Sequence, residues 1–233
     1  MRTTVLAIVV VLCAAPACVA QEGGNTPFCT DRERRAATLD TRGLGALYCT
    51  TPPGLARSLG AVHRSARPVF YGAVPLAWGA AFVRGGDDYT DAFRLTVAQG
   101  GTYGLVLALK HVVGRPRPFV TRALTSRSGH YGPDRGGQYH SFPSGHASIS
   151  AAIVTSWSLS YPRWYVVAPG VAWAAGVSLS RLYLGVHYPS DVLVGAALGV
   201  GVAVLVHQVR ATITPPVLRG EGGGLPVGVT IRF

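Results

Sequence analysis

The chain has 233 residues, 48% hydrophobic and 13% charged, and a formal net charge of +11 from 21 basic against 10 acidic side chains. A charged fraction so far below the usual figure of about a quarter points to a membrane protein or an unusually dry helical core. The basic residues are scattered rather than gathered into a run with aromatics, which argues against nucleic acid and leaves anionic lipid or a phosphate-bearing substrate as the partner of that charge.

In chain order, MRTTVLAIVVVLCAAPACVAQEGG has an early arginine, an apolar core from Val5 to Leu12 and small residues ending at Ala20. This is the layout of a signal peptide over residues 1–20, cleaved after Ala20; the alternative is an uncleaved first membrane helix. Cleavage would leave Cys29 and Cys49, a pair able to close one disulfide in an oxidising compartment or to stand as two free thiols. Residues 21–66 read as a polar lead-in without chemistry, with TTPPG at 50–54 as a breaker and LARSLGAVHRSA as a short amphipathic helix.

Five apolar segments follow, at 68–83, 93–113, 147–161, 164–180 and 192–206, each long enough for a helix and too long for an ordinary strand. The last, VLVGAALGVGVAVLV, is apolar on every face, and its Gly195 and Gly199 have the spacing that lets two membrane helices approach closely. Ser148, Ala152, Ser156 and Ser160 form a similar small-residue stripe, read as a packing face. The pattern predicts an all-α, multi-helix transmembrane bundle, with one helical domain over 67–209 and an appended tail over 210–233 whose last residues, VGVTIRF, alternate like a strand.

Three polar groups sit at the ends of these segments. In KHVVGRPRP, the single lysine, Lys110, lies on the last turn of a helix that Gly114 and Pro116 stop, sending Arg115 and Arg117 onward in extended backbone. In SFPSGH, Ser144 is placed to cap the next helix, leaving the amides of Gly145 and His146 free at its N-terminus, where an anion binds readily. In SRLYLGVHYPSD, Arg181, His187 and Asp191 surround a turn, with Ser190 placed to cap the final helix. With five alternating crossings all three groups meet at one end of the bundle. Cations and a helix N-terminus suit a phosphoryl group, and two histidines suit its transfer.

Lys110 with six residues before Arg117-Pro118, then Pro143-Ser144-Gly145-His146, then Ser180-Arg181 with five residues before His187 and three more before Asp191, resemble the three-part signature of the type 2 phosphatidic acid phosphatase superfamily. The motifs stand in that family's order, separated by 24 and 33 residues. The resemblance implies that His187 is a nucleophile forming a phosphohistidine, that Asp191 orients it, and that His146 protonates the leaving group. It further implies that Lys110, Arg117 and Arg181 hold the phosphate oxygens with Ser144 and the Gly145 amide, and that no metal or other cofactor is needed. Arg115, His111, His130 and His140 fall outside the motif and read as structural or gating residues.

The wording around the motifs resembles the membrane branch, whose substrate is the phosphate monoester or diphosphate of a membrane lipid. The expected location is the bacterial cytoplasmic membrane, multi-pass, with the site facing the periplasm and Arg84, Arg163 and Arg210 on the cytoplasmic side. The alternatives are a soluble periplasmic acid phosphatase of the same superfamily and, more distantly, a non-enzymatic protein that binds anionic lipid.

Overall fold

All five apolar segments are helices in the computed structural model, which describes residues 27–30, 38–84, 89–131 and 137–220. The signal-peptide segment and the VGVTIRF stretch lie outside the described residues. The helices are α1 (Leu39–Tyr48), α2 (Pro53–Arg84), α3 (Thr90–Val113), α4 (Pro118–Thr121), α5 (Gly145–Ser160), α6 (Trp164–Tyr183), α7 (Pro189–Gln208) and α8 (Arg210–Ile213), with no strand among the described residues. One of them, α7, is long and apolar enough by length and composition to cross a membrane.

The amphipathic stretch and the first apolar segment, expected as two elements, are one 32-residue helix, α2, that runs through Pro68 and Pro75. A proline inside a helix removes one intrahelical hydrogen bond and crowds the preceding turn, yet packing against α3 and α6 carries α2 across both. Gln99 of α3 reaches into this region, its Nε2 donating to the Phe70 carbonyl at 2.6 Å.

Helix α5 sits at the centre, touching α2, α3, α6 and α7. Its closest seam is with α7, where the two small-residue stripes meet: a Cβ built on Gly195 would lie 2.7 Å from the Ser144 carbonyl oxygen, and one on Gly199 only 2.0 Å from that of Ser148. Ser148, Ala152 and Ser156 are buried in this seam, as expected of a packing face.

The two ends of the helix set are tied differently. At one end Arg84 donates to Tyr161 Oη at 3.0 Å, Ser160 to Asp91 at 2.8 Å, and the Tyr89 amide to the Leu218 carbonyl at 2.8 Å. That last bond corrects the reading of 210–233 as a mere appendage: Ile213 packs on Ala98, Ala203 and Val206, and Thr214 is buried, so the first part of the tail closes this end. At the other end lie the three motif groups and, over them, α1. A disulfide joins Cys29 to Cys49. Leu44 and Tyr48 of α1 enter a core with Leu184, Val186, Tyr188 and Val192, so the lead-in is docked on the motif end.

Candidate active site

Helix α3 stops where the sequence implies. Gly114 takes the left-handed conformation at φ 57, which a side chain disfavours, and its amide donates to the Lys110 carbonyl at 3.1 Å. Lys110 is thereby left on the last turn with its Nζ donating to the His140 carbonyl at 2.5 Å. The chain then extends to Arg117, whose side chain is buried and fixed on every side: Nε donates to the Gly137 carbonyl at 2.8 Å, one terminal nitrogen to the Val186 carbonyl at 2.9 Å, and the guanidinium lies 4.0 Å over the Tyr131 ring. The same terminal nitrogen is 3.2 Å from His187 Nε2.

A guanidinium has donors only, so His187 Nε2 accepts there and the ring proton sits on Nδ1. That Nδ1 faces Asp191 Oδ2 at 3.6 Å and Ser141 Oγ at 3.5 Å. Asp191 is wholly buried and heavily bonded: Oδ1 accepts from Arg115 at 2.5 Å, and Oδ2 accepts from Ser141 Oγ at 2.6 Å and from the Tyr188 amide at 2.8 Å. The start of α7 differs from expectation here. Tyr188, not Ser190, is the N-cap residue, and Asp191 reaches back to its amide from the third helical position. Ser190 is thus free to bond elsewhere, and it bonds Asp40.

Burial and the Arg117 charge push the His187 imidazole down to about 3 from 6.5, against the pull of Asp191. The unfolded chain therefore binds this proton over a window in which the folded protein does not, and stability must fall as pH falls through it. The melting temperature of the protein in detergent is expected to drop as pH goes from 6.5 toward about 3, and to drop less in His187→Gln. Equal pH dependence in both proteins would show that His187 is not the group held neutral.

Ser144 stands at the N-cap position of α5, as expected, but its Oγ makes no capping bond and is buried without a hydrogen-bond partner among the described residues. Its amide donates to the Asp191 backbone carbonyl at 2.9 Å, which locks the start of α5 to the start of α7. His146, one residue into α5, has its Nε2 buried and likewise unpartnered, with its ring against Phe70 at 5.4 Å between centroids and His63 at 6.2 Å. Arg181 is buried at the end of α6, where its guanidinium bonds Ser180 Oγ at 2.9 Å and meets His63 Nδ1.

A cavity of about 710 Å³ opens onto this cluster. Its polar end is formed by Lys110, Arg117, His140, Gly145, His146 and His187, and it continues between α2 and α3 along Phe70, Val74, Val106 and Leu107 to Ile149 of α5. Five of the eight motif residues with an implied role therefore face the cavity. Asp191, Arg181 and Ser144 lie behind that surface, Asp191 against His187 and Arg181 against His63.

Four further residues belong to the arrangement. Ser141 opens the quoted SFPSGH stretch and carried no role in the sequence, yet it bonds the central carboxylate. Arg115, set aside as structural or gating, bonds Asp191, Ser190 Oγ at 2.7 Å and Asp40 Oδ2 at 2.8 Å. Asp40 and His63 come from the lead-in, so that segment is not without contacts to the motif residues. Burial raises the Asp40 carboxyl, but hydrogen bonds from Arg115 and Ser190 outweigh it and hold the group below the usual carboxylate range.

The chain is similar to known proteins. Residues 91–215, more than half of the chain, match the family model of the PAP2 superfamily. A lipid A 1-phosphatase of Rhizobium etli is 34% identical over 108 residues, which are 44% of this chain and 43% of that enzyme. An undecaprenyl-diphosphatase of Sulfolobus acidocaldarius is 40% identical over 73 residues, 31% of this chain and 35% of that enzyme. In both comparisons the chain spans less than half the length of the curated relative it matches. The crystal structure of Aquifex aeolicus LpxE superposes with a TM-score of 0.62 at 22% identity, covering 74% of this chain and 96% of that one, which is a likeness of fold. With motif residues from four segments gathered at one cavity and a family match that spans them all, the chain belongs to the PAP2 superfamily.

Proposed function

We propose that the protein is a metal-independent phosphatase that hydrolyses the phosphate monoester or diphosphate of a membrane lipid through a phosphohistidine. The observation that carries this reading is His187, buried, with Nδ1 toward Asp191 and Nε2 toward a cationic cavity. In that tautomer Nε2 carries the lone pair, which accepts from Arg117 and turns to phosphorus when the phosphate takes over that donor. Lys110 and Arg117 hold the phosphate oxygens with the Gly145 amide, while Ser144 and Arg181 support the site from behind the cavity surface. Attack by Nε2 forms the N–P bond as the bond to the lipid oxygen breaks, and His146 Nε2 gives that oxygen its proton. Asp191 stabilises the imidazolium that results. Water then attacks the phosphohistidine with His146 as base, and inorganic phosphate leaves.

The apolar course of the cavity between α2 and α3 supports a lipid as the substrate. A multi-pass membrane bundle is supported by the outward faces of the helices, where Leu76, Leu105, Val171 and Leu193 are exposed. The motif end then faces the periplasm, with Arg84, Arg163 and Arg210 at the cytoplasmic end. The alternative is the soluble periplasmic branch; α7 is the one described helix long and apolar enough to cross a membrane. Carbonate extraction separates the two, because an integral enzyme stays in the pellet.

The purified protein is expected to release phosphate from lipid phosphates, to do so equally in the presence of a chelator, and to be inhibited by vanadate, which adopts the geometry of the transferring phosphoryl group. Absence of phosphate release across monoester and diphosphate lipids, or activity lost to the chelator and restored by a divalent metal, would overturn the reading.

A further inference from the structure

We infer that Asp40, on the first turn of α1, is a positioning residue for the reaction: it holds Arg115 so that Asp191 keeps one carboxylate oxygen for His187. This rests on the phosphohistidine reading above.

The geometry is a chain of charges from the docked lead-in to the nucleophile. Asp40 Oδ2 accepts from Arg115 at 2.8 Å and from Ser190 Oγ at 2.6 Å, and its Oδ1 accepts from the Ser190 amide at 2.8 Å. The other terminal nitrogen of Arg115 donates to Asp191 Oδ1 at 2.5 Å, while the guanidinium stacks on the Tyr188 ring at 4.3 Å. An arginine beside a lone carboxylate tends to take both its oxygens in a two-pronged pair. Here Asp40 occupies one prong, so Arg115 reaches Oδ1 alone. Oδ2 is left to Ser141, the Tyr188 amide and His187.

The charge count leads to the same role. One guanidinium between two carboxylates leaves net negative charge next to His187 Nδ1, where the developing imidazolium needs it. With Asp40 neutral, Arg115 would cancel Asp191 and be free to take its second oxygen. The helix that carries Asp40 is itself fixed. Thr38 caps it, its Oγ1 accepting from the Thr41 amide at 3.4 Å, and Gly43 lies so near Pro189 that a Cβ there would come within 2.9 Å of the ring. Asp40 thus acts from 150 positions away in sequence on the first turn of α7.

Steady-state kinetics and melting temperature, measured on the detergent-solubilised full chain with a lipid phosphate, test this. Asp40→Asn is expected to lower kcat about tenfold with little change in KM, and Asp40→Glu to recover most of the loss. Thr38→Ala, which loosens α1 but keeps Asp40, is expected to lower the melting temperature and leave kcat near wild type. Wild-type kcat in Asp40→Asn overturns the proposal, as does a loss of kcat in Thr38→Ala that tracks its melting temperature, because the role of Asp40 would then be merely structural. A wild-type protein that releases no phosphate overturns the functional reading and this inference together. Should Asp40→Asn not fold, Arg115→Met is compared with Asp40→Asn/Arg115→Met: without Arg115 there is nothing to hold, so equal kcat in the two supports the inference and a further loss in the double variant overturns it.

Discussion

Replacing His187 by alanine is expected to reduce phosphate release by about 10,000-fold or more, to the level of the uncatalysed background, because among the described residues His187 is the cavity imidazole with a carboxylate behind its far nitrogen. Lys110 is engaged by the His140 carbonyl and the arginines are donors only. His146, the remaining imidazole of the motifs, is spoken for as the proton donor and has no carboxylate behind it, its neighbours being Phe70 and His63. The loss should appear in kcat, with lipid still bound in the apolar part of the cavity. The variant's melting temperature separates lost chemistry from lost folding. A folded His187→Ala protein with appreciable turnover would mean that the cavity works by another nucleophile.

Gly199→Ala is expected to be the most damaging single methyl that can be added to the helix set. The new Cβ would meet a backbone carbonyl oxygen, Ser148 O, at 2.0 Å, with the Ala152 amide nitrogen at 3.0 Å. Backbone in mid-helix cannot rotate aside as a side chain can, so α5 and α7 must separate, at a cost of about 3 kcal/mol or more. The same seam ends at the Ser144 amide and the Asp191 carbonyl, so separation also pulls the starts of the two helices, with His146 and Asp191, out of register. Melting temperature and activity should fall together. Gly201→Ala supplies the control, since nothing lies within 4 Å of a Cβ there and the change should be neutral or slightly favourable. Equal melting temperatures for the two variants would contradict the close α5–α7 packing.

What the sequence made legible, and what it hid, follows from the range of each signal. The apolar runs marked all five long helices, because apolarity over a helix length is a local property, and a close-packing face on α7 was visible in the small-residue spacing of Gly195 and Gly199, though not that α5 would fill it. The start of α2 was not legible: Pro68 reads locally as a break, and only packing against α3 and α6 carries the helix through it. The cluster of Lys110, Arg117, His146 and His187 was legible because fixed spacing within each motif and alternating helix directions bring segment ends together. Asp40 and His63 were invisible for the opposite reason. Each lies in an ordinary polar context and acquires a partner, Arg115 or Arg181, only through the docking of α1 and α2. Ser141 and Arg115 lay inside the quoted stretches, and the signal that could have found them is the buried carboxylate itself: Asp191 needs more donors than His187 can supply.

The central claim, attack on phosphorus by His187, is tested most directly by rapid-quench trapping with a radiolabelled lipid phosphate, followed by mapping of the label. Label in an acid-labile, base-stable bond on the peptide carrying His187, formed and lost at rates compatible with turnover, is the predicted result. Label on His146, or steady turnover with no labelled protein at any quench time, would contradict it.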